Sequence, residues 1–169
     1  MAIVIRAAAL TDLESLFDIR TSVTQNHLSR EQMADLGITS DALAEAIGSA
    51  TCAWLAVVDG LPVAFSMVDL EGGEVFAMFV KPGYEGRGLG RQLMLEAEKA
   101  LFQHHESIWL VTDGREEIRA NGFYQRLGWS YAGDVEAGDV RYEKKRPNLF
   151  GPDAFSGTGR SVVPGQHFE

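Results

Sequence analysis

A strand, a glycine-rich turn, a long helix and a second strand follow one another between residues 74 and 112. In Glu74–Val80, apolar side chains occupy both sets of alternate positions, which is typical of a strand covered on both faces. Residues 89–103 carry apolar side chains on one helical stripe. Strands joined by a helical crossover lie parallel, with a right-handed connection. The segment therefore predicts a βαβ unit within an α/β fold.

The remaining pattern predicts further short strands and helices around this unit. Before it, we expect a strand at residues 3–5, helices capped by Thr11 and Ser29, a helix at 40–47, and strands at 53–58 and 63–70 around the turn Asp59-Gly60. After it, we expect a helix at 116–127 and strands at 129–134 and 140–145. The predicted fold class is α/β (α+β), with a mixed, mainly antiparallel central sheet flanked by helices. Residues 1–146 form one domain in this prediction, and residues 147–169, rich in proline and glycine, form an irregular tail.

Charge and cysteine content restrict the function classes. Lys and Arg number 15 against 24 Asp and Glu, giving a net charge of −9. A general nucleic-acid binder needs a basic face, so nucleic acid is not an expected partner. Cys52 is the only cysteine, which excludes an internal disulfide, and no Cys/His cluster has the spacing of a zinc site. Without a signal-peptide pattern or a long apolar span, we expect a cytoplasmic protein with no membrane partner and no metal.

The turn of the βαβ unit combines glycines with arginines. Alternating Gly86, Gly88 and Gly90 precede or open the helix, and Arg87 and Arg91 flank them. Uncovered backbone N–H groups and a helix N-terminus favour an anion such as a pyrophosphate. The Gly-Lys-Ser/Thr of a P-loop is absent, and a dinucleotide fingerprint would require glycine at position 91. A nucleotide-binding βαβ protein and a purely structural turn remain alternatives.

The stretch from Val80 to Arg91, with Leu93, resembles the pyrophosphate-binding motif of the GNAT superfamily of acyl-CoA-dependent N-acetyltransferases. That motif has Gln or Arg, two residues, Gly, one residue, and Gly or Ala; Glu85 stands at its first position here. The resemblance implies acetyl-CoA as the acyl donor. It further implies a set of cofactor-binding residues in the strand and the loop: Met78, Phe79 and Val80 through their backbone N–H groups, and Gly86, Arg87, Gly88, Leu89, Gly90 and Arg91.

A second segment, residues 119–129, is similar to the family's Ala-x-x-Phe-Tyr-x-x-x-Gly-Phe pattern, with Glu117 at the position of a frequent Asn. The resemblance implies that Phe123 contacts the cofactor and that Tyr124 is the general acid that protonates the leaving thiolate. Tyr124 also lies on an apolar helical stripe, so a purely structural role stays open. Family members often take the amine proton with a carboxylate on the central strand, which implies Glu74 as the base.

The resemblance implies that the acceptor is an amine, either a small molecule or a peptide. The resemblance places the helical region around His27 at the acceptor pocket, so His27 is a candidate acceptor contact or base. Asp69 and Glu71, at the end of the preceding strand, are alternative bases, and Asp69 is also a candidate acceptor-binding residue. The predicted function is therefore an N-acetyltransferase that transfers acetyl directly from acetyl-CoA to an amine. The alternative is a non-catalytic acyl-CoA-binding or sensing module with the same fold. The sequence does not decide whether the chain forms a homodimer.

Overall fold

A computed structural model of the chain describes residues 2–23, 28–113 and 117–147. It describes the side chains of these residues except those of 113–121. Seven strands lie in these ranges: β1 Ile3–Ala7, β2 Ala53–Val58, β3 Leu61–Asp69, β4 Glu74–Val80, β5 Ser107–Asp113, β6 Ser130–Asp134 and β7 Asp139–Lys145. The same ranges hold five α-helices: α1 Leu13–Ser22, α2 Arg30–Asp35, α3 Ser40–Ser49, α4 Leu89–Leu101 and α5 Glu117–Arg126. Short 3-10 helices occupy Leu10–Asp12 and Glu136–Gly138.

The chain groups into two compact units. The first comprises the chain up to Asp69 together with Val75–Glu98, and its strands follow the order β1-β2-β3-β4. The second comprises Leu70–Glu74 and the chain from Lys99 onward, with the order β5-β7-β6. Most pairings are antiparallel, and Glu74 of β4 pairs with Trp109 of β5 in parallel. The predicted fold class, a mixed and mainly antiparallel sheet with flanking helices, is confirmed.

The hairpin between β2 and β3 forms because its two turn residues accept a left-handed backbone. Asp59 and Gly60 have φ values of 51° and 86°, the conformation that a two-residue type I′ turn requires. The register pairs Val58 with Leu61 and shifts by a bulge after Ala56. The predicted hairpin is therefore confirmed, with β3 starting two residues earlier than the sequence pattern suggested.

Helix α1 begins later than its predicted cap. Thr11 lies inside the 3-10 helix, and α1 starts at Leu13. The carboxylate of Asp12 accepts the N–H of Ala9 at 2.7 Å and two hydrogen bonds from Arg6 of β1. The prediction of a cap at Thr11 was wrong, because a 3-10 helix precedes α1, and the residue before α1, Asp12, turns its carboxylate to Arg6 and Ala9 and caps no N–H of α1. The cap predicted at Ser29 is confirmed, since Ser29 and Gln32 form the reciprocal hydrogen bonds of a capping box.

Each unit has its own apolar interior. In the first unit, α1 contacts β3 and α4 is joined to β3 by the buried Ser66 hydroxyl, which donates to the carbonyl of Leu93. The first interior includes Leu16, Ile19, Leu55, Val63, Leu93 and Met94. The second includes Leu101, Ile108, Leu110, Leu127, Trp129 and Tyr142. These side chains are almost completely withdrawn from solvent, so they supply the main stabilisation of each unit.

Strand β4 is less covered than its sequence predicts. Within it, Val75 is buried and the following residues are partly exposed, with Phe76 at 41%. The prediction of burial on both faces was wrong for most of the strand. Apolar residues at every position indicate a strand that could be buried on both faces. Whether other elements pack on both faces depends on segments distant in sequence. The central strand thus retains accessible apolar surface next to the glycine turn.

Candidate functional site

The glycine turn after β4 has the backbone that its composition predicts. Gly83, Gly86 and Gly88 have φ values of 93°, 78° and 79°. Residues with a Cβ rarely adopt these φ values, so the backbone conformation of this turn requires glycine. The carbonyl of Gly88 accepts the N–H of Gln92 at 3.1 Å, which makes Gly88 the residue that opens α4. The turn therefore leads directly into the N-terminus of a 13-residue helix.

The N-terminus of α4 favours negative charge. Its first turn contains no acidic residue, and its first N–H groups have no carbonyl within the helix to bind. Leu89 is 1% exposed and anchors this end of the helix in the interior, whereas the Arg87 and Arg91 side chains are exposed. In the predicted loop, residues Gly86 to Arg91, two arginine side chains therefore lie at the surface beside the anchored N-terminus of α4. Such a site is suited to the phosphates of a ligand.

Glu85 folds back onto the turn. Its Oε1 accepts the N–H of Gly83 at 3.0 Å. From the other side, Nη2 of Arg87 donates to the carbonyl of Gly83 at 3.3 Å, and the Arg87 guanidinium lies 5.0 Å from the centre of the Tyr84 ring. Side chains of opposite charge therefore hold both peptide groups of Gly83. The carboxylate of Glu85 is therefore engaged in a hydrogen bond within the turn.

Helix α1 contacts the strand that precedes the turn. The Arg20 guanidinium lies 4.2 Å from the centre of the Phe79 ring, and burial lowers the pKa of Arg20. Asp18 forms an ion pair with Lys81 at 2.7 Å between Oδ2 and Nζ. These two contacts hold the last turns of α1 against the end of β4. These contacts were not predictable from the sequence, because no local pattern relates residues 18–20 to residues 79–81.

Met78, Phe79 and Val80 are half-buried in β4. The Phe79 ring packs on Phe65 of β3 with 5.8 Å between ring centres. Glu74, the first residue of β4, pairs in parallel with Trp109 of β5.

Tyr124 belongs to an aromatic cluster in the second unit. Its ring centre lies 5.0 Å from that of Tyr142, 5.3 Å from that of Phe123 and 6.4 Å from that of Trp129. The carbonyl of Tyr124 accepts N–H groups from Leu127 and Trp129, which closes the end of α5. Tyr124 and Phe123 are nonetheless half-exposed. The ring is fixed by its neighbours while the residue retains access to solvent.

The buried amine of Lys144 caps α5 from strand β7. Lys144 is 5% exposed, and its Nζ donates to the carbonyl of Leu127 at 2.6 Å. A cation at a helix C-terminus is stabilised by the partial negative charge of the last carbonyl groups. Gly128 follows with φ of 92°, the left-handed conformation that ends many helices. The helix that carries Tyr124 is thus fixed at its C-terminal end.

The remaining predicted residues are placed as follows. Glu74 is half-exposed at the start of β4 and lies in the second unit, as Tyr124 does. Asp69 is exposed at the end of β3. His27 and residues 148–169 lie outside the described residues, and so does the side chain of Glu117. No group of metal-binding side chains occurs in the described part of the chain, and no described helix is long and apolar enough to cross a membrane.

The known proteins to which this chain is similar are acetyltransferases. A model of the acetyltransferase (GNAT) domain matches residues 49–131. The peptidyl-lysine N-acetyltransferase YjaB of Salmonella typhimurium is 34% identical over 158 residues, covering 90% of this chain and 100% of that protein. The mycothiol acetyltransferase of Kineococcus radiotolerans is 36% identical over 95 residues, covering 56% of this chain and only 26% of that protein.

Solved structures share the fold. PaiA N-acetyltransferase from Thermoplasma acidophilum, in complex with coenzyme A, superposes with a TM-score of 0.69 at 22% identity, covering 86% of this chain and 100% of that one. The solution structure of apo YjaB from Escherichia coli has a TM-score of 0.53 at 26% identity, covering 85% and 96%. Together with the full-length similarity to the Salmonella protein, these findings show that the chain belongs to the GNAT superfamily of acetyltransferases.

Proposed function

We propose that this protein transfers the acetyl group of acetyl-CoA to a primary amine. The observation that carries the proposal is the left-handed glycine turn that opens α4, with exposed Arg87 and Arg91 at its rim. The pyrophosphate of CoA would bind the N–H groups of this turn and of the first helical turn, and the arginines would add charge. Membership of the GNAT superfamily supports acetyl-CoA as the ligand in preference to a nucleotide.

Strand β4 would hold the acyl donor by its backbone. The amides of Met78, Phe79 and Val80 would bind the extended pantetheine arm and polarise the thioester carbonyl. Support comes from the partial exposure of the residues after Val75 in this strand. Because the donors are backbone groups, side-chain changes there would act through packing rather than chemistry.

Once the amine is neutral, the reaction needs one proton removed and one supplied. The amine nitrogen bonds to the acetyl carbon, the carbon–sulfur bond breaks, and the sulfur of CoA leaves with the electron pair. Tyr124 would hydrogen-bond to that sulfur and donate its phenolic proton as the thiolate forms; the reference pKa values, about 10 for a phenol and about 8.5 for a thiol, make the transfer uphill by about 1.5 pKa units, so it depends on the positioning of the phenol. Glu74 would take the proton of the amine, directly or through water. Both residues belong to the same compact unit.

The acceptor class we infer is the ε-amine of a peptide lysine. This rests on the Salmonella relative, which is named a peptidyl-lysine N-acetyltransferase and is similar over its full length. Acidic net charge of the chain favours a cationic acceptor at long range. Asp69, exposed at the end of β3, is the acidic side chain that we assign to the approach of such an amine.

The test compares Tyr124→Phe with Tyr131→Phe. We expect Tyr124→Phe to lower kcat by about 100-fold or more, the usual contribution of a general acid, while the Kd for acetyl-CoA stays within about twofold. Tyr131 is exposed on β6 and hydrogen-bonds to Asp134, so its variant should keep full activity. Turnover is followed by chromatographic detection of CoA with lysine peptides, and Kd by titration calorimetry. Binding without turnover in the unmodified protein, across peptide and small amines, would support the non-catalytic alternative.

A further inference from the structure

Glu85 occupies a position where a carboxylate is unfavourable for a phosphate ligand. Two anions close together repel each other, even in water. The Glu85 carboxylate nevertheless lies within the glycine turn, where its Oε1 accepts the N–H of Gly83 at 3.0 Å. The carboxylate is therefore directed to the first glycine of the turn, three residues before Gly86 and five before Gly88.

The contact has a conformational consequence. Gly83 has φ of 93°, nothing lies within 4 Å of the place a Cβ would take, and glycine by itself samples a wide range of conformations. Its N–H is held by Glu85 and its carbonyl by Arg87, while the N–H of Tyr84 bonds to the carbonyl of Lys81 at 3.1 Å. Lys81 in turn is held by β3 through its N–H and by Asp18 through its Nζ. The first half of the turn is thus tied to the fold before any ligand binds.

We propose that Glu85 is a positioning residue for acyl-CoA binding. Its hydrogen bond to Gly83 favours binding, and its negative charge opposes binding. The proposal rests on the proposed function, since it concerns the same turn. The hydrogen bond fixes the turn, so less conformational entropy is lost when the N–H groups from Gly86 onward bind the pyrophosphate. The charge opposes that binding. The two effects have opposite signs and are separable by substitution.

Glutamine separates them because it retains the acceptor oxygen and removes the charge. For Glu85→Gln we expect CoA to bind about 3- to 10-fold more tightly at low salt, with the gain shrinking at higher salt as surface charges are screened. For Glu85→Ala, which also loses the hydrogen bond, we expect affinity about 3- to 10-fold weaker than that of Glu85→Gln, the range of one modest hydrogen bond. Glu31→Gln removes the same charge from the exposed face of α2 and should change affinity less than twofold.

The experiment is titration calorimetry of the four full-length proteins with CoA at two salt concentrations. Glu85→Gln binding more tightly than both the unmodified protein and Glu85→Ala is the expected result. Equal affinity of Glu85→Ala and Glu85→Gln, with CoA binding intact in the unmodified protein, would overturn the role of the hydrogen bond and leave the proposed function standing. Absence of CoA binding in the unmodified protein would overturn the proposed function and this role with it.

Discussion

Replacing Gly128 by alanine tests whether the end of α5 is held as its geometry indicates. Gly128 follows the helix that carries Tyr124 and has φ of 92°. A Cβ at this position would lie 3.3 Å from Cε and 3.5 Å from Nζ of Lys144. That amine is buried and donates to the carbonyl of Leu127 at 2.6 Å. The substitution therefore combines backbone strain with displacement of a buried hydrogen-bonded cation.

The cost is the sum of two effects. A left-handed backbone costs a residue with a Cβ about 1 to 2 kcal/mol relative to glycine. Lys144 must shift by a few tenths of an ångström, which weakens its hydrogen bond by about 1 kcal/mol or less because the side chain is flexible at its end. We expect Gly128→Ala to lower the free energy of unfolding by about 1 to 3 kcal/mol, and Tm by about 2 to 12 °C for a chain of this size.

Two other glycines separate the effects. Gly37 has φ of 84° but nothing within 4 Å of its Cβ position, so Gly37→Ala should show the strain alone. Gly48 lies in α3 without a positive φ and also has open space, so alanine there should stabilise by up to about 1 kcal/mol. Urea unfolding followed by circular dichroism gives the free energy for each variant. If Gly128→Ala lowers the free energy of unfolding by less than about 0.5 kcal/mol, the usual range for neutral surface sites, the assigned backbone strain and displacement of Lys144 are refuted.

Two further predictions concern buried or paired groups. Burial raises the pKa of the Cys52 thiol, and Cys52 is 5% exposed, so it should react with a disulfide reagent at least about 100-fold more slowly in the folded protein than in urea; equal rates would contradict its burial. The hydrogen bonds from Arg6 hold the pKa of Asp12 below its usual value, so its contribution to stability is complete above about pH 4 and is lost as the pH falls through the lowered pKa. Asp12→Asn should therefore be less stable than the unmodified protein at pH 7, and the difference in urea unfolding should shrink towards pH 3; a constant difference would exclude the ion pair as its source.

Local features of the fold were predictable because they depend on neighbouring residues. The capping box of Ser29 and Gln32 spans three positions, and the turn Asp59-Gly60 requires left-handed residues that its sequence supplies. The left-handed path at Gly86 and Gly88 follows in the same way from their lack of a Cβ. These features locate the candidate phosphate-binding turn from the sequence.

Other features required the tertiary structure. Thr11 and Asp12 are both capping residues by type, yet the Asp12 carboxylate bonds to Arg6 of β1 and to the N–H of Ala9 and caps no N–H of α1. The orientation of Glu85 towards Gly83 was not predictable either, since its residue type indicates only repulsion from phosphate. In both cases an acceptor has more than one local partner within reach, and the folded arrangement selects among them.

The sequence by itself determined the order of strands and helices, the glycine turn, and the superfamily. The order of elements and the turn follow from periodicity and from backbone freedom, and the superfamily follows from the resemblance of two short motifs to those of the family. Only the tertiary structure decided that Arg20 stacks on Phe79, that Asp18 pairs with Lys81, and that Lys144 caps α5. Burial of a charge or of an aromatic ring depends on which distant segments cover it, and that information resides in the packing of the whole chain.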